Sequence, residues 1–81
     1  MNDVRYFTLT SDDGSPVLTC LRRLRIGKDA MGEDRWDVSA QAWKDDTANS
    51  PIVRMLTIGQ GDYDEIAPEL ARATWPEAFE D

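Results

Sequence analysis

Hydrophobic and polar residues alternate along the first two thirds of the chain, a pattern typical of β-strands. Four segments show this alternation, or a high content of β-branched and aromatic residues: 4–10, 17–26, 35–44 and 52–58. In the third, Trp36 and Val38 would face a core while Asp37 and Ser39 would face solvent. Turn-forming clusters such as SDDGSP separate the segments, and such short connections favour antiparallel neighbours.

The spacing of apolar residues changes in the last third of the chain. They then recur every three or four positions, which predicts a helix over about 64–74, followed by a short turn over 76–80. Pro68 fits only the first turn of a helix, because its ring is bulky and it has no N–H group. We therefore expect the regular helix to begin near Ala67 or Pro68, after an irregular turn over 62–66.

These elements predict one small α+β domain over residues 1–81. Its core would be a four-stranded antiparallel β-sheet, a meander, with one C-terminal helix packed on one face. Trp36 should be buried between the sheet and this helix. The other face should stay open and present Tyr6, Leu21 and Trp43, which would suit a partner or a homodimer.

The residue composition limits the kinds of catalytic and metal-binding site that the chain can form. The chain of 81 residues has no histidine and a single cysteine, Cys20. Without histidine, Ser-His and Cys-His nucleophilic sites and histidine-containing zinc sites are excluded. We therefore predict a protein that is not an enzyme, with no catalytic residues, cofactor or bound metal. An enzyme that relies on carboxylates or a metal ion is the second alternative.

The stretch TIGQGDYDEI has two glycines, Gly59 and Gly61, between a strand-like and a helix-like segment. A dinucleotide-binding loop needs a third glycine where Asp64 stands, and the acids of this stretch would repel phosphate. We interpret the glycines as turn residues. Asp62, Asp64 and Glu65 could ligate a hard cation, but capping of the following helix is the preferred explanation.

Three arginines in the motif LRRLR, Arg22, Arg23 and Arg25, could contact phosphates. The net charge of −7 opposes binding to nucleic acid. We predict instead that these arginines pair with acids on neighbouring strands, Asp37 among them. Arg22 falls on an otherwise apolar side of its strand, which predicts either a β-bulge near Arg22–Arg23 or an exposed position.

Most of the negative charge lies in residues 59–81, where seven acids accompany one base, Arg72. Such a field repels nucleic acid and anionic membranes and attracts cationic surfaces. The loop before the fourth predicted strand adds two acids. The predicted partner-binding residues are therefore Asp45, Asp46, Asp62, Asp64, Glu65, Glu69, Glu77 and Glu80.

Together these features predict a non-catalytic protein-interaction module that docks its acidic surface on a basic, nucleic-acid-binding site of another protein. Small acidic domains without histidine are common among inhibitors encoded by phages and other mobile elements, an analogy of composition alone. The alternative is a homo-oligomeric or accessory structural domain whose acidity serves solubility. The lone cysteine, the lack of a long apolar run and an N-terminus unlike a signal peptide predict a cytoplasmic protein.

Overall fold

An antiparallel sheet with a short helix on each face forms the core of the computed structural model, which describes residues 3–59 and 61–79. The elements in chain order are β1 (Asp3–Thr10), β2 (Pro16–Ile26), β3 (Met31–Asp37), β4 (Ala42–Asp45), α1 (Pro51–Ile58), β5 (Tyr63–Ile66), α2 (Pro68–Thr74) and a 3-10 helix (Pro76–Phe79). The strands lie in the order β4-β3-β2-β1-β5. The α+β class and the antiparallel sheet are as predicted, but there are five strands instead of four. Within these two ranges, no helix is long and apolar enough to cross a membrane.

The predicted strand over 35–44 is a hairpin. Strand β3 ends at Asp37, whose carboxylate accepts a hydrogen bond from the N–H of Ala40 at 3.0 Å and so stabilises a turn before β4. Trp36 and Trp43 are directly paired across this hairpin and pack edge to face, with ring centres 5.3 Å apart. The alternation of hydrophobic and polar residues continues through both strands, and for this reason the segment 35–44 resembled one longer strand.

Residues 52–58 belong to helix α1, so the predicted fourth strand is wrong. Pro51 occupies the first helical turn, where its fixed φ and missing N–H are acceptable. Gly59 ends the helix with a φ of 76°, and its N–H donates to the Met55 carbonyl at 2.8 Å. The β-branched residues of the segment favoured a strand, but the two helix ends and the burial of Ile52 against the sheet outweigh that weak preference.

The fifth strand replaces the irregular turn and the helix start that were predicted near residue 64. Strand β5 pairs with β1, with Tyr63 opposite Leu9 and Ile66 opposite Tyr6. These pairs supply backbone hydrogen bonds that a helix running through Pro68 would lose. Helix α2 begins at Pro68, within one residue of the start expected from the proline. The final predicted turn, 76–80, corresponds to the 3-10 helix, and Glu80 lies outside the described residues.

Each helix covers one face of the sheet, so the predicted open face does not exist. The α1 face buries Phe7, Leu24 and Ile52. The α2 face buries Leu21, Trp36, Ala71 and Trp75, with Tyr6 and Trp43 packed beside them. Trp36 therefore lies between sheet and helix, as predicted. The three residues expected on an open surface instead pack under α2, because they lie on the same face as Trp36, and α1 covers the other face.

Strand β2 contains an irregularity, at a different place from the predicted bulge. Thr8 pairs with Leu21, whereas Thr10 pairs with Pro16. Strand β2 therefore has extra residues over 17–20 relative to β1, and these residues interrupt the regular pairing of the two strands. Beyond them the register is regular through the arginines, so a bulge does not explain the position of Arg22.

Replacing Trp36 by Ala tests the packing under α2. Trp36 is only 5% exposed and contacts Trp43 edge to face, so its removal should lower the free energy of unfolding by about 3–5 kcal/mol. Urea denaturation followed by circular dichroism measures this loss. Val38→Ala in the adjacent turn is the control, because Val38 is 46% exposed. A Trp36→Ala loss below about 1 kcal/mol would contradict the packing.

Candidate functional site

Arg22 lies in a buried ion-pair network on the α1 face. Its Nε is 2.5 Å from Oε2 of Glu33, and its Nη2 contacts the carboxylate of Asp46. Arg22 and Glu33 are 6% and 0% exposed. The hydrogen bond from Arg22 holds the pKa of Asp46 below its usual range, with help from the Asn49 amide. Arg22 is therefore neither at a bulge nor exposed, because two carboxylates balance its charge inside the fold.

The Glu33 carboxylate also caps helix α1. Its oxygens accept hydrogen bonds from the backbone N–H groups of Ile52, at 3.1 and 3.3 Å, and Val53, at 3.3 Å. Ser50, at the position before the helix, makes no side-chain cap. A strand residue therefore satisfies donors that a helix start leaves unpaired, and its negative charge suits the positive end of the helix dipole.

The other two arginines share Asp34 on the α2 face. Nε of Arg23 is 2.9 Å from Oδ2 of Asp34, and Arg25 binds both oxygens of that carboxylate, at 2.7 and 3.1 Å. Arg25 also lies 3.6 Å from the carboxylate of Asp45. The predicted ion pairing of the three arginines is thus confirmed, but the acids involved differ from the expected Asp37, which closes the hairpin turn.

The predicted partner-binding acids do not form one surface. Asp45 and Asp46 lie at the end of the β4 edge, whereas the acids of 62–65 lie at the β5 edge. Since neighbouring strands are about 4.8 Å apart, the two edges are separated by about 19 Å. Asp45 and Asp46 also face Arg25 and Arg22, so part of their charge is neutralised within the fold. They do not extend the acidic region of β5.

The remaining predicted acids occupy three different elements. Glu65 on β5 accepts two hydrogen bonds from Arg5, at 2.9 and 2.5 Å, and this contact lowers the pKa of Glu65. Glu69 lies in the first turn of α2 and Glu77 in the 3-10 helix, both exposed. Glu80 is outside the described residues. Arg5 thus neutralises one of the acids that were expected to attract a partner.

The two other acids of the β5 region, Asp62 and Asp64, lie beside the β1–β2 turn, which the sequence predicted as a turn but not as a neighbour of these acids. Because Leu9 pairs with Tyr63, the end of β1 and the start of β5 are neighbours. The hydroxyl of Thr10 donates to the Asp64 carboxylate at 2.8 Å, and the β1–β2 turn follows directly after Thr10. We call the resulting group of exposed carboxylates the acidic corner: Asp12, Asp13, Asp62 and Asp64.

No basic residue belongs to the two stretches of chain that form the acidic corner, 6–21 and 55–71. Asp13 is fixed in place, because its carboxylate accepts hydrogen bonds from the Ser11 hydroxyl at 2.6 Å and the Ser15 N–H at 3.0 Å. These bonds lower the pKa of Asp13. Asp13 therefore stays ionised at neutral pH, and the side chains of the corner are exposed to solvent.

The corner was hidden in the sequence because its two halves lie about fifty residues apart. The doublet Asp12–Asp13 is typical of a turn, where aspartate is common. This turn lies near Asp62 and Asp64 only because β1 pairs with β5. The sequence pattern instead predicted the start of a helix at the position of β5. Within 3–59 and 61–79, no group of three or more acids or cysteines has the arrangement of a metal site.

A shallow depression of about 420 Å³ lies at the opposite end of the sheet. Val4, Met31 and Gly32 line its apolar part, and Arg25 and Asp45 line its polar part. These two charged groups face each other at 3.6 Å, and Arg25 is also bound to Asp34, so their charges serve the fold. We therefore regard the acidic corner as the candidate functional site.

Comparisons with protein-family models, curated proteins and solved structures found no match to this chain.

Replacing Glu33 by Ala tests the buried network. The change leaves Arg22 without its more deeply buried carboxylate partner and the first N–H groups of α1 without acceptors. We expect the free energy of unfolding to fall by about 3–5 kcal/mol, as when one member of a buried ion pair is removed. Urea denaturation measures the loss.

Glu65→Ala is the matched control for that experiment, because it breaks the ion pair with Arg5, whose side chains are 39% and 45% exposed. Solvent screens this pair, so its loss should cost less than about 1 kcal/mol. Equal losses in the two variants would show that the Glu33 network contributes no more than a surface contact.

Proposed function

We propose that this protein is a non-catalytic interaction module whose acidic corner docks on a basic surface of a partner protein. The observation that carries the proposal is the hydrogen bond from Thr10 to Asp64, which brings the start of β5 next to the turn that contains Asp12 and Asp13. Four carboxylates from two distant parts of the chain then form one negatively charged surface, and neither part contains a basic residue.

The distribution of basic residues supports this choice of surface. Of the nine basic residues, four form ion pairs with acids of the described ranges, namely Arg5, Arg22, Arg23 and Arg25. The acids that they neutralise serve the stability of the sheet and of α1. Acids of the corner have no such role apart from short hydrogen bonds to hydroxyl and N–H groups. Their negative charge is therefore available to attract a cationic surface of a partner.

Clustering of like charge has a consequence for association. Exposed charges interact over about 8 Å at physiological salt, so four neighbouring carboxylates act together on an approaching cationic surface. Such a field speeds the encounter with a basic partner and disfavours acidic ones. Acidity that served solubility alone would be as effective if it were spread evenly over the surface.

An inhibitor that covers the nucleic-acid-binding site of its target would be one module of this type, since such sites are basic. The acidic, histidine-free composition fits inhibitors of this kind from phages and mobile elements. The free thiol of Cys20 supports a reducing compartment, and we propose that the protein meets its partner in the cytoplasm.

The test compares two variants that each lose three negative charges. The corner variant carries Asp12→Asn, Asp62→Asn and Asp64→Asn, whereas the control variant carries Asp3→Asn, Asp29→Asn and Glu77→Gln. All six side chains are exposed. A partner is first captured from a lysate, identified by mass spectrometry and purified. Its association rate with each variant is then measured at low and at raised salt.

The corner variant should associate about tenfold more slowly at low salt, with a flatter dependence on salt, whereas the control should change less than about twofold. Both variants should keep the melting temperature of the wild type within a few degrees. Equal slowing of the two variants would show that only net charge matters. Unchanged association of the corner variant would refute the proposed docking site.

A further inference from the structure

We infer that the outer edge of β5 receives an extended basic segment of the partner as an added β-strand. The inference rests on the proposed function and names the form in which the basic partner would bind. Strand β5 is the outermost strand of the sheet and is paired only with β1 among the described residues. The backbone N–H and C=O groups on its other side are therefore open to a further strand.

The charges beside this edge indicate the sign of the segment. Asp64 is directly opposite Thr8, and Thr8 is directly opposite Leu21, so the Asp64 side chain is on the α2 face. Asp62 and the β1–β2 turn continue the negative charge beyond the end of β5. A cation on the α2 face of an added strand would therefore lie opposite Asp64, where opposite charges stabilise a cross-strand pair.

The same charges exclude a second copy of the chain. An edge-to-edge antiparallel pair of β5 strands would bring Asp64 close to Asp64 of the second copy, and neighbouring like charges are destabilising. The negative charge at this edge thus disfavours pairing with a second β5 strand and favours pairing with a basic strand. The β4 edge lacks this selectivity, because Lys44 and Asp45 are adjacent and carry opposite charges.

The length of the open edge limits the added strand. Strand β5 has four residues, and Pro68, which has no N–H group, begins α2 two positions after its end. Pairing would therefore involve about five residues of the partner. Basic residues at alternate positions would place all of their side chains on the α2 face, toward Asp64.

Two synthetic peptides of identical charge separate strand addition from plain charge attraction. The first is a seven-residue peptide in which lysine and threonine alternate, and the second is the same peptide with its central backbone nitrogens methylated. Methylation removes the N–H donors and leaves the lysines unchanged. Each peptide is titrated into the ¹⁵N-labelled full chain, and amide shifts and hydrogen exchange are recorded.

The unmodified peptide should shift the amides of 62–66 and slow exchange in β5. The methylated peptide should bind at least about tenfold more weakly, since one or two backbone hydrogen bonds are worth about this much. Asp64→Asn should weaken the unmodified peptide about fivefold and still accept the bond from Thr10. Asp29→Asn, in the exposed β2–β3 loop, is the control and should change binding less than about twofold.

Two results would overturn the inference in different ways. Equal, salt-sensitive binding of both peptides at the acidic corner would refute strand addition and leave the proposed docking function standing. Absence of salt-sensitive binding of either peptide at the corner would refute both strand addition and the proposed function.

Discussion

The buried carboxylate of Glu33 joins three parts of the chain, because it pairs with Arg22 on β2, belongs to β3 and caps the start of α1. An isolated helix of eight residues is marginal in water, and only Ile52 of α1 is fully buried. Burying the carboxylate is itself costly, so it is tolerated only with a charge partner and hydrogen bonds. The position of α1 on the sheet depends on this group.

The location of α1 in turn determines which surfaces are left for a partner. With α1 on one face and α2 on the other, neither face of the sheet is left without a helix, and the two edges of the sheet are among the surfaces that remain. At the β4 edge, acids and bases neutralise one another around Arg22 and Arg25. At the β5 edge the acidic corner has no basic residue in its own segments. The carboxylates that stabilise the fold are thus separate from those of the proposed docking site, and this separation is the basis of the proposed function.

Sequence patterns predicted those features that depend on neighbours along the chain, such as the first two strands, the burial of Trp36 and the start of α2 at Pro68. The sequence patterns failed where a residue far along the chain determines whether a segment forms a helix or a strand. The donors at the start of α1 bind a carboxylate 19 positions away, and the short strand β5 exists only through its pairing with β1. The acidic corner needs that same pairing, so half of it, Asp62 and Asp64, was predicted and the other half was not.

The most direct test of the Glu33 anchor is amide hydrogen exchange in the wild-type protein, read at Ile52 and Val53. First-turn amides of a helix ordinarily exchange quickly, because they have no partner within the helix. If Glu33 holds them in the buried network, both amides should be protected to about the same degree as the central strands β1 and β2. Exchange of Ile52 and Val53 at the rate of an unprotected chain would contradict the anchoring of α1 by Glu33.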